Sequence, residues 1–292
     1  MTAEDVDEGK LDADRAVVEA LQKLPALSIH ASRILMPLSQ MIDGFTATSE
    51  LARNQRSLKF FSFIKDTFPD EGYAVIQREH LSPKNIDFMH SSGVISSELK
   101  YLDFPFWAQS KFAVGSRLKL ERYAGESILD IGTGPGHFAV VARYFGCKYE
   151  GLEVILKSWS PHSKRHLFDD LCNFFQIDRA TQPVRPMKPL QLQQRFRMVT
   201  CLMGNFCSVT AADGKRRSWD WSEWVFFLDN LVRDVMEAEY SMYFHISRNY
   251  LSADVVENIR KFATLFDEER SVFTFDESLD LDELRRSSPA NP

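Results

Sequence analysis

Cysteine is scarce: the 292 residues include four, Cys147, Cys172, Cys201 and Cys207. None stands in a C-x-x-C pair, which argues against zinc or any other metal. Their spacing fits scattered reduced core thiols in a cytosolic protein. The chain also lacks any run of eighteen apolar residues, so no transmembrane helix is expected. Met1 to Asp14 is acidic and has no apolar core of the kind a signal peptide needs, so the expected location is cytoplasmic. Basic excess is missing as well: 35 Lys and Arg face 41 Asp and Glu, for a net charge of −6. A compact nucleic-acid binder usually shows a basic footprint, and none dominates here. No internal repeat or long low-complexity tract is present. Nucleic acid and membrane are therefore not expected partners, and oligomeric state is left open.

What the chain does have is apolar content of 44% and 23 phenylalanines, enough for heavy aromatic packing in one large domain or a domain plus an extension. Its most informative stretch runs from Glu126 to Phe138. The apolar run Ile128 to Ile131 breaks into the turn Gly132-Thr133-Gly134-Pro135-Gly136, and a second apolar stretch, Phe138 to Phe145, follows. That order predicts a buried strand, a tight loop and a helix whose N-terminus presents free N–H groups. Two readings of the loop compete. A dinucleotide fingerprint would be G-x-G-x-x-G, with a pyrophosphate on the helix N-terminus. Here the third glycine comes one residue early and His137 takes the dinucleotide position. Asp130, two residues before the first glycine, would repel a pyrophosphate. It suits a ligand with a cationic end, such as an amino acid.

In the rest of the chain, Val17, Val18, Leu21 and Leu24 predict a helix that Pro25 ends, and Ile34 to Ile42 a second. Thr48 to Phe68 reads as a third, stopped by Pro69-Asp70-Glu71-Gly72, with less regular chain from Tyr73 to Leu99. A further helix carries Trp107, Lys111, Val114 and Leu118 on one face. Lys148 to Val154 predicts a second strand ending in an acid, Glu153. His162 and His166 are four apart on a helix capped by Ser160-Pro161. Lys164, Arg165 and the Ser163 between them make two solvated histidines the better reading than a zinc pair. A short strand is expected around Val184, and a fourth, buried one at Arg197 to Met203, followed by Gly204-Asn205-Phe206. Ala211 to Ser218 reads as a loop. Trp221 to Val235 is the most amphipathic helix. Tyr240 to Ile246 is a fifth strand, Ser252 caps a helix reaching Phe266, and Ser271 to Phe275 is a last strand.

The run Leu129-Asp130-Ile131-Gly132-Thr133-Gly134-Pro135-Gly136, with Glu153 seventeen residues beyond Gly136, resembles motif I and the second-strand acid of class I S-adenosylmethionine-dependent methyltransferases. Phe145-Gly146, Gly151-Leu152-Glu153, Arg195 to Thr200 and Trp221 to Leu231 look like bacterial stand-alone methyltransferase-domain proteins. The resemblance implies an α/β fold: a Rossmann-like doubly wound, mostly parallel sheet with helices on both faces, plus an N-terminal helical extension. The expected divisions are 1–115 for a helical extension or lid, 116–278 for the core and 279–292 for a flexible tail. It implies S-adenosyl-L-methionine as cofactor, held by Asp130, Gly132, Thr133, Gly134, Gly136, His137, Phe138, Glu153, Val154 and Met203, with Glu153 on the ribose hydroxyls. Tyr101, Trp107, Lys111 and Asn205 are substrate-pocket candidates, though Trp107 fits plain core packing slightly better. His245 is a weak candidate base, ahead of Asn205, His137 and Tyr101. The implied activity is methyl transfer to a small molecule, a saccharide or secondary metabolite. The alternatives are a non-catalytic cofactor-binding or regulatory module, or an RNA or protein methyltransferase. The chain departs from the family at Arg197, where many relatives have aspartate. It also departs at Glu237-Ala238-Glu239-Tyr240, which replaces a Pro-Gly-Gly turn. Finally, only one clear strand stands where the sheet usually closes with an antiparallel pair.

Overall fold

Prolines and caps decide where the early helices start. The computed structural model describes residues 19, 30–82, 85, 97–153, 167–202, 206–210 and 216–288. Helix α1, Leu38–Thr48, begins after Pro37 rather than at Ile34. The reason is that a residue preceding proline is pushed out of the helical region. The expected helix over 48–68 is broken: Leu51 sits on a 3₁₀ turn, Glu50–Ala52, and is 73% exposed. Helix α2, Gln55–Thr67, starts at Asn54, whose side chain accepts from the Ser57 N–H at 2.9 Å. Asp70–His80, expected to open on a stop signal, forms helix α3. Asp70 and Glu71 suit its positive N-terminal end. Gly72 is needed there for packing, since a Cβ would stand 2.8 Å from the Phe174 ring. Helix α4, Phe104–Arg117, buries Phe104, Ala108, Phe112 and Gly115, leaving Trp107, Lys111 and Val114 on a half-buried flank. Phe112 stacks on Phe60 of α2 at 4.7 Å.

The chain divides into two compact units. One takes in Met1–Leu118, Pro135–Tyr144 and Lys157–Ile177; the other takes in Lys119–Gly134, Phe145–Leu156 and Asp178–Pro292. The first is helical and holds α1 to α4 with α5, His137–Tyr144, and α6, Leu167–Phe174. Buried rings in and just beyond its helices meet there: Phe68, which follows α2, lies 5.0 Å from Phe175, which follows α6, and Phe104 of α4 lies 4.8 Å from Phe175.

The second unit is built on a sheet of seven strands among the described residues. Its strands are β1 Ser127–Ile131, β2 Lys148–Glu153, β3 Arg179–Thr181, β4 Phe196–Leu202, β7 Met236–His245, β8 Leu265–Asp267 and β9 Val272–Asp276; β5 Ser208–Thr210 and β6 Arg216–Ser218 form a separate hairpin. The order across the sheet is β3-β2-β1-β4-β7-β9-β8. The first five of these pair in parallel, and β9 and β8 are antiparallel. This is a Rossmann-like, mostly parallel sheet. Its order reverses at β1, which lies between β2 and β4, and ligands bind at such a switch point, beyond the carboxyl ends of the strands. Alternation sends Leu129, Ile131, Val199, Cys201 and Phe244 to one face. There they pack with Trp224 of α7, Trp221–Asn230, Ile259 of α8, Ala253–Phe262, and Leu284 of α9, Leu281–Ser287.

Several expectations are corrected. The sheet edge is complete: helix α8 ends at Phe262, so Phe266 enters β8 and supplies the second strand of the antiparallel pair. The third strand lies at Arg179–Thr181 and not around Val184, because Pro183 and Pro186 remove ladder donors there. Arg216–Ser218, expected as loop, pairs with β5. Beyond Asn230 the chain continues as a π-helical turn, Leu231–Val235, and β7 then begins at Met236 in place of a Pro-Gly-Gly turn. Arg197, the other departure, meets the Glu239 carboxylate of β7 at 2.6 Å. The tail over 279–292 does not fray throughout. Asp280 caps α9 by accepting from the N–H groups of Asp282 and Glu283, Leu284 is buried, and Arg285 reaches Asp229 at 2.6 Å. The helices predicted before residue 30 and at 160–166 lie outside the described residues, apart from Glu19 in helical conformation.

Candidate functional site

At the carboxyl end of β1 the chain turns through glycines at positive φ: 79° at Gly132, 55° at Gly134 and 78° at Gly136. A side chain at these positions would be strained. The turn is tied to β2, since the Gly132 N–H donates to the Leu152 carbonyl at 2.7 Å. Thr133 folds back, its hydroxyl donating to the Asp130 carbonyl at 3.0 Å. Gly151 of β2 makes room for it, because a Cβ there would lie 2.3 Å from Thr133 Oγ1.

Two buried carboxylates flank this turn. Glu153 ends β2, and its Oε2 accepts from the Gly134 N–H at 3.1 Å. The Arg179 guanidinium, at the start of β3, stands 4.0 Å from the same oxygen. Burial pushes the Arg179 pKa down, and Glu153 pulls it partly back. Asp130 is 2% exposed. Its Oδ1 accepts from the Thr200 hydroxyl of β4 at 2.7 Å, and its Oδ2 from the Tyr149 hydroxyl of β2 at 2.8 Å. The structure thus brings together Asp130, Gly132, Thr133, Gly134 and Glu153. Sequence reasoning missed Tyr149, Thr200 and Arg179. For Thr200 a signal was available: it is the polar residue inside the apolar run Met198 to Leu202.

The remaining described candidates on the N-terminal side lie in the helical unit. Gly136 precedes α5, and a Cβ there would fall 2.2 Å from Ile177 Cδ1. His137 and Phe138 open α5 and are both 2% exposed. His137 sits among rings, 5.2 Å from Phe104 and 6.0 Å from Tyr101. Tyr101 packs on Trp107 at 4.9 Å and on Phe168 at 5.4 Å. The Trp107 indole donates to the Lys100 carbonyl at 2.8 Å, and the Lys100 ammonium lies 5.2 Å from both the Tyr101 and Trp107 rings. Burial, then Glu98, raises the Tyr101 pKa. Burial first, then the Lys111 ammonium, pushes the His137 pKa down to about 3, against smaller upward pulls from a hydrogen bond with the Tyr101 backbone and from Asp103. A general base works near its operating pH, and His137 is far below it.

That depression has a consequence for stability. The unfolded chain takes up a proton on this histidine near pH 6.5, and the folded chain does not until about 3. The contribution is therefore complete above pH 6.5 and is lost as the pH falls towards 3, with a slope of up to about 1.4 kcal/mol per pH unit. Urea denaturation across that window should show His137→Phe losing stability less steeply than the wild type, by the equivalent of one proton. Parallel slopes would show that His137 is protonated in the folded chain.

His245 ends β7, half-buried, in register with Leu202 of β4 and Val272 of β9. It shares the carboxyl edge with Asp130 but lies two strands from β1, roughly 10 Å by strand spacing. Val154, Met203 and Asn205 lie outside the described residues, as do His162 and His166. The four cysteines are buried and form no disulfide with one another. Burial pushes Cys147 up to about 11 and Cys207 up to about 12, so neither is a ready thiolate. Among the described residues no group of three His, Cys, Asp or Glu side chains is placed to hold a metal, and no helix is long and apolar enough to cross a membrane.

No family model matches the chain, and no curated protein matches it in sequence. Solved structures do resemble it in part. S-adenosylmethionine-bound CalS10, an amino pentose methyltransferase from Micromonospora echinaspora involved in calicheamicin biosynthesis, is 16% identical over 50% of this chain and 54% of its own, with a TM-score of 0.33. DesVI of Streptomyces venezuelae is 11% identical over 49% and 54%, with a TM-score of 0.34. The plantazolicin methyltransferase BpumL, solved with S-adenosylhomocysteine, is 13% identical over 79% and 74%, with a TM-score of 0.30. The matched part thus spans about half the length of the first two, 54% of each.

Proposed function

We propose that this chain binds S-adenosylmethionine at the carboxyl ends of β1 and β2 and transfers its methyl group to a small-molecule acceptor, a saccharide or a secondary metabolite. The observation that carries this reading is the buried Glu153 carboxylate meeting the glycine-rich turn at the Gly134 N–H, 3.1 Å away, beside the switch point of the sheet. The residues fit the cofactor. The Glu153 carboxylate is fixed at the turn, and a carboxylate is a group suited to ribose hydroxyls. Asp130 places a buried negative charge next to the turn, which disfavours a pyrophosphate and favours an ammonium group. Gly132 and Gly134 let backbone approach the ligand without a Cβ in the way.

When bound, the cofactor supplies a sulfonium methyl that is already a strong electrophile. The chain's work is then to hold the cofactor, align the acceptor and exclude water. A base is required only for a hydroxyl or a protonated amine, and His245 is the candidate at this sheet edge. The absence of an N/D-P-P-Y/F motif after β4, where Asn205-Phe206-Cys207 stands, supports an acceptor other than a base amino group. The acidic balance of the chain supports a small molecule over nucleic acid.

Incubation with methyl-labelled cofactor and fractionated cell extract tests the reading. Label is expected in a small-molecule fraction. Label in RNA or protein would overturn the acceptor class. Cofactor binding with no transfer to any fraction would make the chain a non-catalytic binding module.

A further inference from the structure

The end of the sheet farthest from the glycine-rich turn holds a small cavity. Strand β8 has only three residues, and the chain turns back through 268–271 into β9. Between that turn, helix α8 and the 3₁₀ turn Arg248–Tyr250 beyond β7 lies a notch of about 230 Å³, its open mouth included. Its walls are apolar: Leu251 and Phe266 are half-buried, and Val256 of α8 and Phe273 of β9 are buried. A concave apolar surface with a few charged groups at its edge is the usual form of a small-molecule site. The charged groups here are Arg248 and Glu268. Arg248 meets one Glu268 oxygen at 2.5 Å, and Arg260 meets the other at 2.7 Å. Two guanidiniums thus share one carboxylate. The Arg248 side chain is 62% exposed, so a further anion can reach its remaining N–H groups in the paired geometry that guanidinium and carboxylate favour.

We propose that this notch binds a short-chain carboxylate, with its tail against Leu251, Val256, Phe266 and Phe273 and its carboxylate on Arg248. The volume suits a tail of a few carbons and is too small for a drug-sized ligand. The surplus positive charge of the Arg248–Glu268–Arg260 cluster selects an anion over an ammonium. Strand β9 lies three strands from β1, roughly 14 Å by strand spacing, so the site is separate from the glycine-rich turn. It is a second small-molecule site on the sheet unit, and it does not rest on the S-adenosylmethionine reading.

The test uses four probes on the full chain. Isovalerate, isoamyl alcohol and isoamylammonium share one branched tail, and acetate keeps the carboxylate without it. Titration of the isotope-labelled chain, followed by amide chemical shifts, should saturate with isovalerate, with the shifts concentrated at Leu251, Val256, Phe266 and Ser271. Acetate and isoamylammonium should each bind at least tenfold more weakly. Arg248→Gln, at an exposed position, should weaken isovalerate about tenfold, as expected for a lost hydrogen bond between charged groups, and leave isoamyl alcohol unchanged. Val256→Phe, which fills the notch, should abolish the isovalerate response in a chain whose melting curve shows it folded. No saturation of the wild type by isovalerate, acetate binding as tightly as isovalerate, or equal isovalerate affinity in Arg248→Gln would each overturn the site. Failure of S-adenosylhomocysteine to bind, measured in a separate titration, would overturn the cofactor reading and leave this inference standing.

Discussion

Glu153→Ala should weaken S-adenosylhomocysteine binding at least tenfold while the chain stays folded. The carboxylate is 5% exposed, so its position is fixed before any ligand arrives. One oxygen already holds the turn through the Gly134 N–H at 3.1 Å. Hydrogen bonds from two ribose hydroxyls to such a group are charge-assisted and worth roughly 1.5–3 kcal/mol each. Every loss of about 1.4 kcal/mol costs a factor of ten in affinity. The substitution also removes the carboxylate 4.0 Å from the Arg179 guanidinium, so a modest fall in melting temperature accompanies it. Calorimetry together with a melting curve separates the two effects. An unchanged dissociation constant with an unchanged melting curve would refute the ribose role.

The second large effect is on stability. Trp224→Ala should cost about 3–5 kcal/mol, the usual range for truncating a buried aromatic. Domains have only roughly 5–15 kcal/mol in total, so much of the folded population is at stake. Trp224 is fully buried, and its ring lies within 6.1 Å of Trp219, Phe206, Phe227, Phe244 and Phe273. It therefore joins helix α7 to strands β7 and β9. Its indole nitrogen has no hydrogen-bond partner among the described residues. Trp224→Phe keeps most of the ring contacts and removes a buried donor that no described residue accepts from, so it should cost well under half as much. Urea midpoints for the two variants check this. Equal losses would mean that the bulk of the indole, rather than the aromatic surface, sets the cost.

Local patterns in the sequence carried much of this fold. The apolar run, glycines and following apolar stretch at 128–145 became β1, the turn and α5, because each step depends on residues only a few positions apart. Ser252 was readable as a cap for the same reason, and its hydroxyl does accept from the Val255 N–H at 3.3 Å. Where the sequence misled, the deciding contact was distant. Gly72 read as a helix stop, yet its lack of a side chain answers to Phe174, about a hundred residues away. Phe266 continued the apolar spacing of α8, yet it joins β8 because β9 offers it a ladder. The hairpin β5–β6 has strands of three residues, too short for any alternation to register. At the site, Asp130 and Glu153 were legible from their distance to the glycines. Tyr149, Thr200 and Arg179 were not, because strand register alone brings them to those carboxylates.

Titration of the wild-type chain with S-adenosylhomocysteine and, separately, with NAD tests the central claim most directly. The early third glycine and the buried Asp130 predict heat and saturation with S-adenosylhomocysteine and none with NAD. Tight NAD binding with no response to S-adenosylhomocysteine would contradict the account, because a pyrophosphate would then be tolerated beside a carboxylate that should repel it.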